Sequence, residues 1–243
     1  MIDLQYLVVG TGRCGTLYMA KLLTAMGVPC SHESLFNWQG IKYAVCALKD
    51  EIPTQASEVS TRWNHHIKAQ NAVAEASYLA VPFLNHPICR NVPVIHLVRN
   101  PIKVIDSFVR GGNFFSKRIP RNKYEWFIDE HMPPRALRRF PSAVERAAYF
   151  YLHWNKIIEK TVYRDRVHLF YRIEDRDIPA IAQFVNSDKE DVYVDEHTNT
   201  WRHHNLRRKE IKWRDIPDST MKEELMRKAK FYGYDTEDTN ERT

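Results

Sequence analysis

The chain has 243 residues, with 36 Lys and Arg against 30 Asp and Glu, a formal net charge of +6 at pH 7 and 44% hydrophobic residues. That length carries one α/β domain with a core of its own, and the ordinary apolar and charged fractions point away from a disordered or fibrous chain. A basic balance calls for an anionic ligand without choosing among nucleotide, acidic glycan, nucleic acid and membrane surface.

No run of 18 apolar residues occurs, and the N-terminus lacks a basic stretch followed by an apolar one, so a soluble, cytoplasmic protein without a membrane span is expected. Cys14, Cys30, Cys46 and Cys89 show no CxxC spacing and are expected as free thiols.

In chain order, Leu4 to Val9 reads as a buried strand entering the turn Gly10-Thr11-Gly12. A helix follows from Thr16 to Met26, with Met19, Leu22, Leu23 and Met26 on one face and Gly27 as its stop. Val28 to Ser31 is a second short strand, and Trp38 to Ala69 a mixture of helices and loops. Asn71 to Ala74 is a third strand, with a helix running on through Leu84.

Val92 to Val98 is the clearest buried strand. It ends at Arg99-Asn100-Pro101, where Asn100 can cap a helix and Pro101 suits its first position. Residues 111–141 read as an irregular, basic and aromatic excursion that could form a lid. Ser142-x-x-Glu145 is a capping box opening a long helix. Arg166 to Tyr171 is a strand, while Ile178 to Val185 and Asp218 to Tyr232 are helices. This alternation predicts a single α/β domain over 1–243, a parallel sheet with helices on both faces, and ligands at the strands' carboxyl ends.

Two segments carry chemistry. Gly10-Thr11-Gly12-Arg13-Cys14-Gly15-Thr16 joins a strand to a helix, so consecutive backbone N–H groups can face an anion at the helix N-terminus. A triphosphate-binding loop would place a lysine after its last glycine; here Thr16 follows Gly15 directly, and the cation sits inside the loop as Arg13. A phosphosulfate has less charge at its transferring group than a triphosphate, so amides plus one cation can hold it without metal. The second segment runs from His96 to Ser107. Arg99 leaves the strand end and Ser107 lies two turns into the helix, a fork and a hydroxyl suited to one phosphate.

Together, GTGRCGT and LVRNPIKVIDS resemble the 5′-phosphosulfate loop and 3′-phosphate motif of the sulfotransferases that use 3′-phosphoadenosine 5′-phosphosulfate (PAPS), whose patterns are roughly GxxRSGT and LVRxPxxxxxS. The likeness extends to Val73–Ser77, Tyr149–Asn155, Arg172–Asp175, Trp213-Arg214 and Gly233-Tyr234. It implies a three-layer α/β/α, P-loop NTPase-like sulfotransferase fold and transfer of a sulfuryl group from PAPS to an acceptor hydroxyl or amine. The product would be 3′,5′-adenosine bisphosphate and the acceptor a small molecule or glycan; neither metal nor nucleic acid is expected.

By the same resemblance, Gly12, Arg13, Cys14, Gly15, Thr16 and Leu17 would hold the 5′-phosphosulfate, and Arg99 and Ser107 the 3′-phosphate. Cys14 departs from the usual Ser, and Ile173 stands where many members have Tyr. Arg208-Lys209-Glu210 is a faint echo of a C-terminal cofactor segment, which makes Arg208 and Lys209 candidate contacts.

Attack by a hydroxyl on sulfur needs a base, and His32, Glu33 and Glu75 are the candidates. Glu33 comes first, because several family members place a Glu just after the second strand. Burial would raise its pKa towards neutrality while Arg13 opposes the shift. His65-His66 and His203-His204 are adjacent pairs poorly spaced for a metal. A small-molecule P-loop kinase and a non-catalytic binder of acidic polymers remain as alternatives.

Overall fold

The computed structural model describes residues 3–49, 71–111, 114–117, 119–194 and 210–237. Its strands are β1 (Tyr6–Val9), β2 (Cys30–His32), β3 (Ala74–Ala76), β4 (Val94–Val98) and β5 (His168–Arg172). Its helices are α1 (Thr16–Ala25), α2 (Ile41–Leu48), α3 (Pro101–Gly111), α4 (Lys123–Glu130), α5 (Ala136–Arg139), α6 (Ala143–Val162), α7 (Ile178–Phe184) and α8 (Ser219–Phe231). Short 3₁₀ helices cover Tyr78–Phe83 and Trp213–Asp215. The protein is therefore α/β, with a five-stranded parallel sheet in the order β2-β3-β1-β4-β5.

Two compact units are distinguished, Met1–Leu97 with Ile157–Thr200, and Val98–Lys156 with Trp201–Thr243. In the first, β1 has Leu7, Val8 and Val9 fully buried and pairs in parallel with β3 on one side and β4 on the other. Burial on both faces is why the strand reads as an unbroken apolar run. Met19, Ala20, Leu22 and Leu23 of α1 are fully buried, and α1 packs over β1, β2 and β3. Thr24 ties that helix's end to β2, accepting the Cys30 N–H at 3.1 Å.

Several elements differ from expectation. β2 begins at Cys30 rather than Val28, since Pro29 cannot donate to a ladder. β3 begins at Ala74 instead of Asn71, which puts Glu75 inside the strand, opposite Ser31 of β2 and Leu7 of β1. The helix expected through Leu84 is a 3₁₀ helix with Pro82 inside it, because proline removes an amide the α-helix needs.

In the second unit, the stretch read as irregular contains α4 and α5. Two buried charged side chains organise it. Glu125 accepts the Phe115 and Arg121 N–H groups at 2.7 and 2.6 Å. Arg146 of α6 donates to the carbonyls of Phe115 (2.9 and 2.6 Å) and Phe140 (2.6 Å). Phe108, Phe115, Phe150 and Trp154 form an aromatic cluster in the same unit, with neighbouring ring centroids 4.7–5.6 Å apart.

The capping box of α6 is formed: the Ser142 hydroxyl accepts the Glu145 N–H at 3.1 Å, and Glu145 accepts the Ser142 N–H at 2.9 Å. The four cysteines are free, and no helix among the described residues is long and apolar enough to cross a membrane. Ser142→Ala should lower stability by about 1 kcal/mol. It should be read as a lower urea midpoint at unchanged slope, since both folded and unfolded states keep their surface areas.

Candidate functional site

The turn after β1 is shaped by close approach. A Cβ at Gly10 would run into the carbonyl oxygen of Leu97 in β4, so only glycine lets the two strands stay paired to their ends. Thr11 is fully buried; its carbonyl accepts the Cys14 N–H at 3.3 Å, and its hydroxyl lies 2.8 Å from the Cys14 sulfur. Cys14 thus points inward, and its thiol closes the turn from inside.

Arg13 and Gly15 both adopt left-handed backbone, with φ of 72° and 101°. Such alternation aims consecutive N–H groups to one side. α1 starts at Thr16 from a glycine, so no side chain caps its first amides, and no acidic residue lies in its first turn. Leu17 buries its side chain, which leaves its backbone N–H as its contribution.

Ile173, just beyond β5, stands against Gly15: a Cβ on the glycine would collide with its terminal methyl. The Ile173 side chain therefore packs on the turn. Arg172 and Asp175 hold that strand end through a two-point ion pair, each contact 2.6 Å.

His32 and Glu33 come from the end of β2. His32 Nε2 lies 3.0 Å from the Thr16 hydroxyl and 3.8 Å from a Glu33 carboxylate oxygen. Which of Thr16 and His32 donates depends on the imidazole tautomer. Glu33 has φ of 49°, and its N–H still donates to Ala76 O of β3 at 3.3 Å. Burial raises the Glu33 pKa to about 7, opposed by the Arg13 guanidinium. Because 14% of its side chain is accessible, this carboxylate is not sealed off from solvent.

Glu75 is fully buried in the middle of β3. Its Oε1 accepts the N–H groups of Ser34, Leu35 and Phe36 at 2.9, 3.2 and 3.2 Å, and its Oε2 meets the Ser31 hydroxyl. Burial lifts its pKa to about 8 against the pull of these donors, with the nearby Glu33 charge adding to the rise. Within the first unit, then, Arg13, Thr16, His32, Glu33 and Glu75 form one connected cluster.

The second motif lies in the second unit. Asn100 accepts the Ile102 and Lys103 N–H groups at 3.0 and 3.4 Å, capping α3 as expected, and Pro101 takes the first helical position. Tyr151 donates to the carbonyl of Arg99 at 3.1 Å. Arg99 and Ser107 are half-buried.

Sequence reasoning passed over Asp106, which pairs with Arg110 and accepts the Ile211 N–H at 3.0 Å, anchoring the segment before Trp213 to α3. Its signal was the Asp–Arg spacing of four. Ser31 and Tyr151 carried no comparable mark. Arg208, Lys209 and both His pairs lie outside the described residues. Among the described residues, no group of three or more His, Cys, Asp and Glu side chains could hold a metal ion.

No family model matches the chain, and no curated protein matches it in sequence.

Gly15→Ala should destabilise the fold by about 1–3 kcal/mol, from overpacking against Ile173 and from its left-handed backbone. Combining it with Ile173→Ala should show a favourable coupling of about 0.5–3 kcal/mol in a double-mutant cycle of urea denaturation.

Proposed function

We propose that the protein is a sulfotransferase that moves a sulfuryl group from PAPS to an acceptor hydroxyl or amine by in-line displacement. The observation that carries this reading is a buried carboxyl, Glu33, that feels the charge of Arg13 at a glycine turn with no lysine. A cation for the departing phosphate and a carboxylate with a pKa of about 7 come from the chain just after β1 and β2.

The residues present suit such a donor. Backbone amides from Gly12 to Leu17 and the Arg13 side chain form a site for the phosphosulfate end, at the uncapped start of α1. Arg99 offers a two-pronged fork and Ser107 a hydroxyl for the 3′-phosphate. PAPS supplies a sulfuryl group whose bond to phosphate breaks as the acceptor's oxygen or nitrogen attacks.

Glu33 takes the proton of the attacking group. At a pKa of about 7 it is basic enough to accept that proton and acidic enough to be ionised at physiological pH. His32, held by Thr16, stands beside Glu33 and orients it. Arg13 and the loop amides neutralise charge that builds on the phosphate left behind.

Titration calorimetry with 3′,5′-adenosine bisphosphate in the presence of EDTA should give saturable binding. Arg13→Ala and Arg99→Ala should each weaken it by about 10–100-fold, the worth of a charge-assisted hydrogen bond. Preferential, Mg²⁺-dependent binding of ATP would overturn the reading in favour of a kinase.

The base must be ionised to act, so kcat/KM should rise with pH through about 7 and level off above it. Glu33→Gln should remove that limb and lower kcat by about 10²–10⁴-fold, as measured by transfer of radiolabelled sulfate.

A further inference from the structure

The chain after β2 does something unusual for four consecutive residues. Glu33 makes the last sheet hydrogen bond, to Ala76 O, and at once turns into the left-handed region with φ of 49°. Ser34, Leu35 and Phe36 then direct all three of their N–H groups at one oxygen, Oε1 of Glu75. A non-glycine residue held at positive φ is costly unless its surroundings impose the conformation. Here the imposing group is a fully buried carboxyl on the strand that pairs with β2.

We propose that Glu75 is a positioning residue for Glu33: its buried carboxyl is the template on which the chain turns after β2, and so fixes where the Glu33 side chain points.

The hydrogen-bond inventory supports a role as acceptor rather than base. Oε1 is surrounded by three N–H donors, which leaves it no room for an incoming proton. Oε2 faces the Ser31 hydroxyl, which itself lies 3.4 Å from the carbonyl of Ala74. A neutral Glu75 satisfies this network completely: its O–H donates to Ser31 Oγ, Ser31 donates to Ala74 O, and Oε1 accepts the three amides. An ionised Glu75 satisfies it too, with Ser31 as donor to Oε2. Either way no edge of the carboxyl is left to meet a substrate. Ser77 completes the scaffold from β3's end, donating to Phe36 O at 2.8 Å.

Ionisable groups of the described residues act on both members of the pair. Arg13 and His32 face Glu33, while Cys30 and Tyr43 face Glu75. Of these, only Arg13 brings a fixed charge.

The catalytic consequence rests on the proposed function; the positional one does not. A glutamine can copy the neutral network, with its carbonyl accepting the three amides and its NH₂ donating to Ser31. An aspartate keeps the acid but draws the acceptor back by one methylene from the amides it holds.

The test is therefore a crossed pair, Glu75→Gln and Glu75→Asp, each checked for folding by near-UV circular dichroism. Expected is that Gln retains turnover to within about threefold, while Asp lowers kcat by about 10²-fold, the scale of a misplaced catalytic group. Affinity for 3′,5′-adenosine bisphosphate should stay within about threefold in both, since the glycine turn is untouched.

A carboxyl-carbon NMR titration of Glu33 reads the same question without any substrate. Its midpoint should stay near 7 in Glu75→Gln and fall towards the ordinary carboxylate range in Glu75→Asp, as the loosened turn lets water reach it. The opposite pattern, with Asp active and Gln dead, would make Glu75 the base and overturn the proposal. So would a Glu33 midpoint that neither variant moves. Should the wild type bind no bisphosphate but show this NMR pattern, the positioning role stands and the sulfotransferase reading falls.

Discussion

β1 is only four residues long, yet it is hydrogen-bonded on both sides and its last three residues have no exposed surface. Its parallel pairing with β3 and β4 brings the glycine turn to the carboxyl edge of the sheet and dictates the identity of Gly10, which cannot carry a Cβ beside the Leu97 carbonyl. Everything in the first unit's cluster is measured from that edge. Arg13 stands in the turn itself, Thr16 opens the helix that the turn feeds, and β3 presents Glu75 in register with β1 on one side and β2 on the other.

The cluster combines burial with mixed charge, and its character depends on which wins. Two carboxyl groups are taken out of water, which by itself favours their neutral forms. One cation opposes this for Glu33, and four hydrogen-bond donors oppose it for Glu75. Desolvation dominates in both, so both pKa values lie well above the usual carboxylate range. Glu33 is the partly accessible member, within reach of solvent. The sealed one serves the backbone.

In the second unit the same device holds the backbone of a helical stretch. Glu125 collects two amides and Arg146 three carbonyl contacts, so a polar stretch with little apolar periodicity is held as α4 and α5. A buried charge is tolerated where its hydrogen bonds are complete, and breaking one partner of such a network is far costlier than the network's net worth. Residues 114–117 and 119–141 are held by these polar contacts and by the Phe108 aromatic cluster. Neither leaves a mark in a local sequence window.

Local chemistry alone determined a good deal. Apolar runs announced β1 and β4, helical spacing announced α1 and α6, and Asn100 and the Ser142–Glu145 box marked helix starts that formed as read. Glycines and Arg13 marked the turn between β1 and α1, and Glu33 with Arg13 anticipated a carboxylate pulled both ways. These signals are short-range: they depend on spacing along the chain and on each residue's own backbone preferences.

Only the tertiary structure decided the roles of the rest. Whether Glu75 lay past β3 or within it depended on the register against β1 and β2, and one residue of register turns a side chain to the opposite face. That Cys14 points inward, that Ile173 packs on Gly15, and that Ser34 to Phe36 converge on one carboxyl oxygen are contacts between residues from 3 to 158 positions apart. The long-range ones exist only once strands have paired, because pairing brings residues distant in the chain within reach of each other.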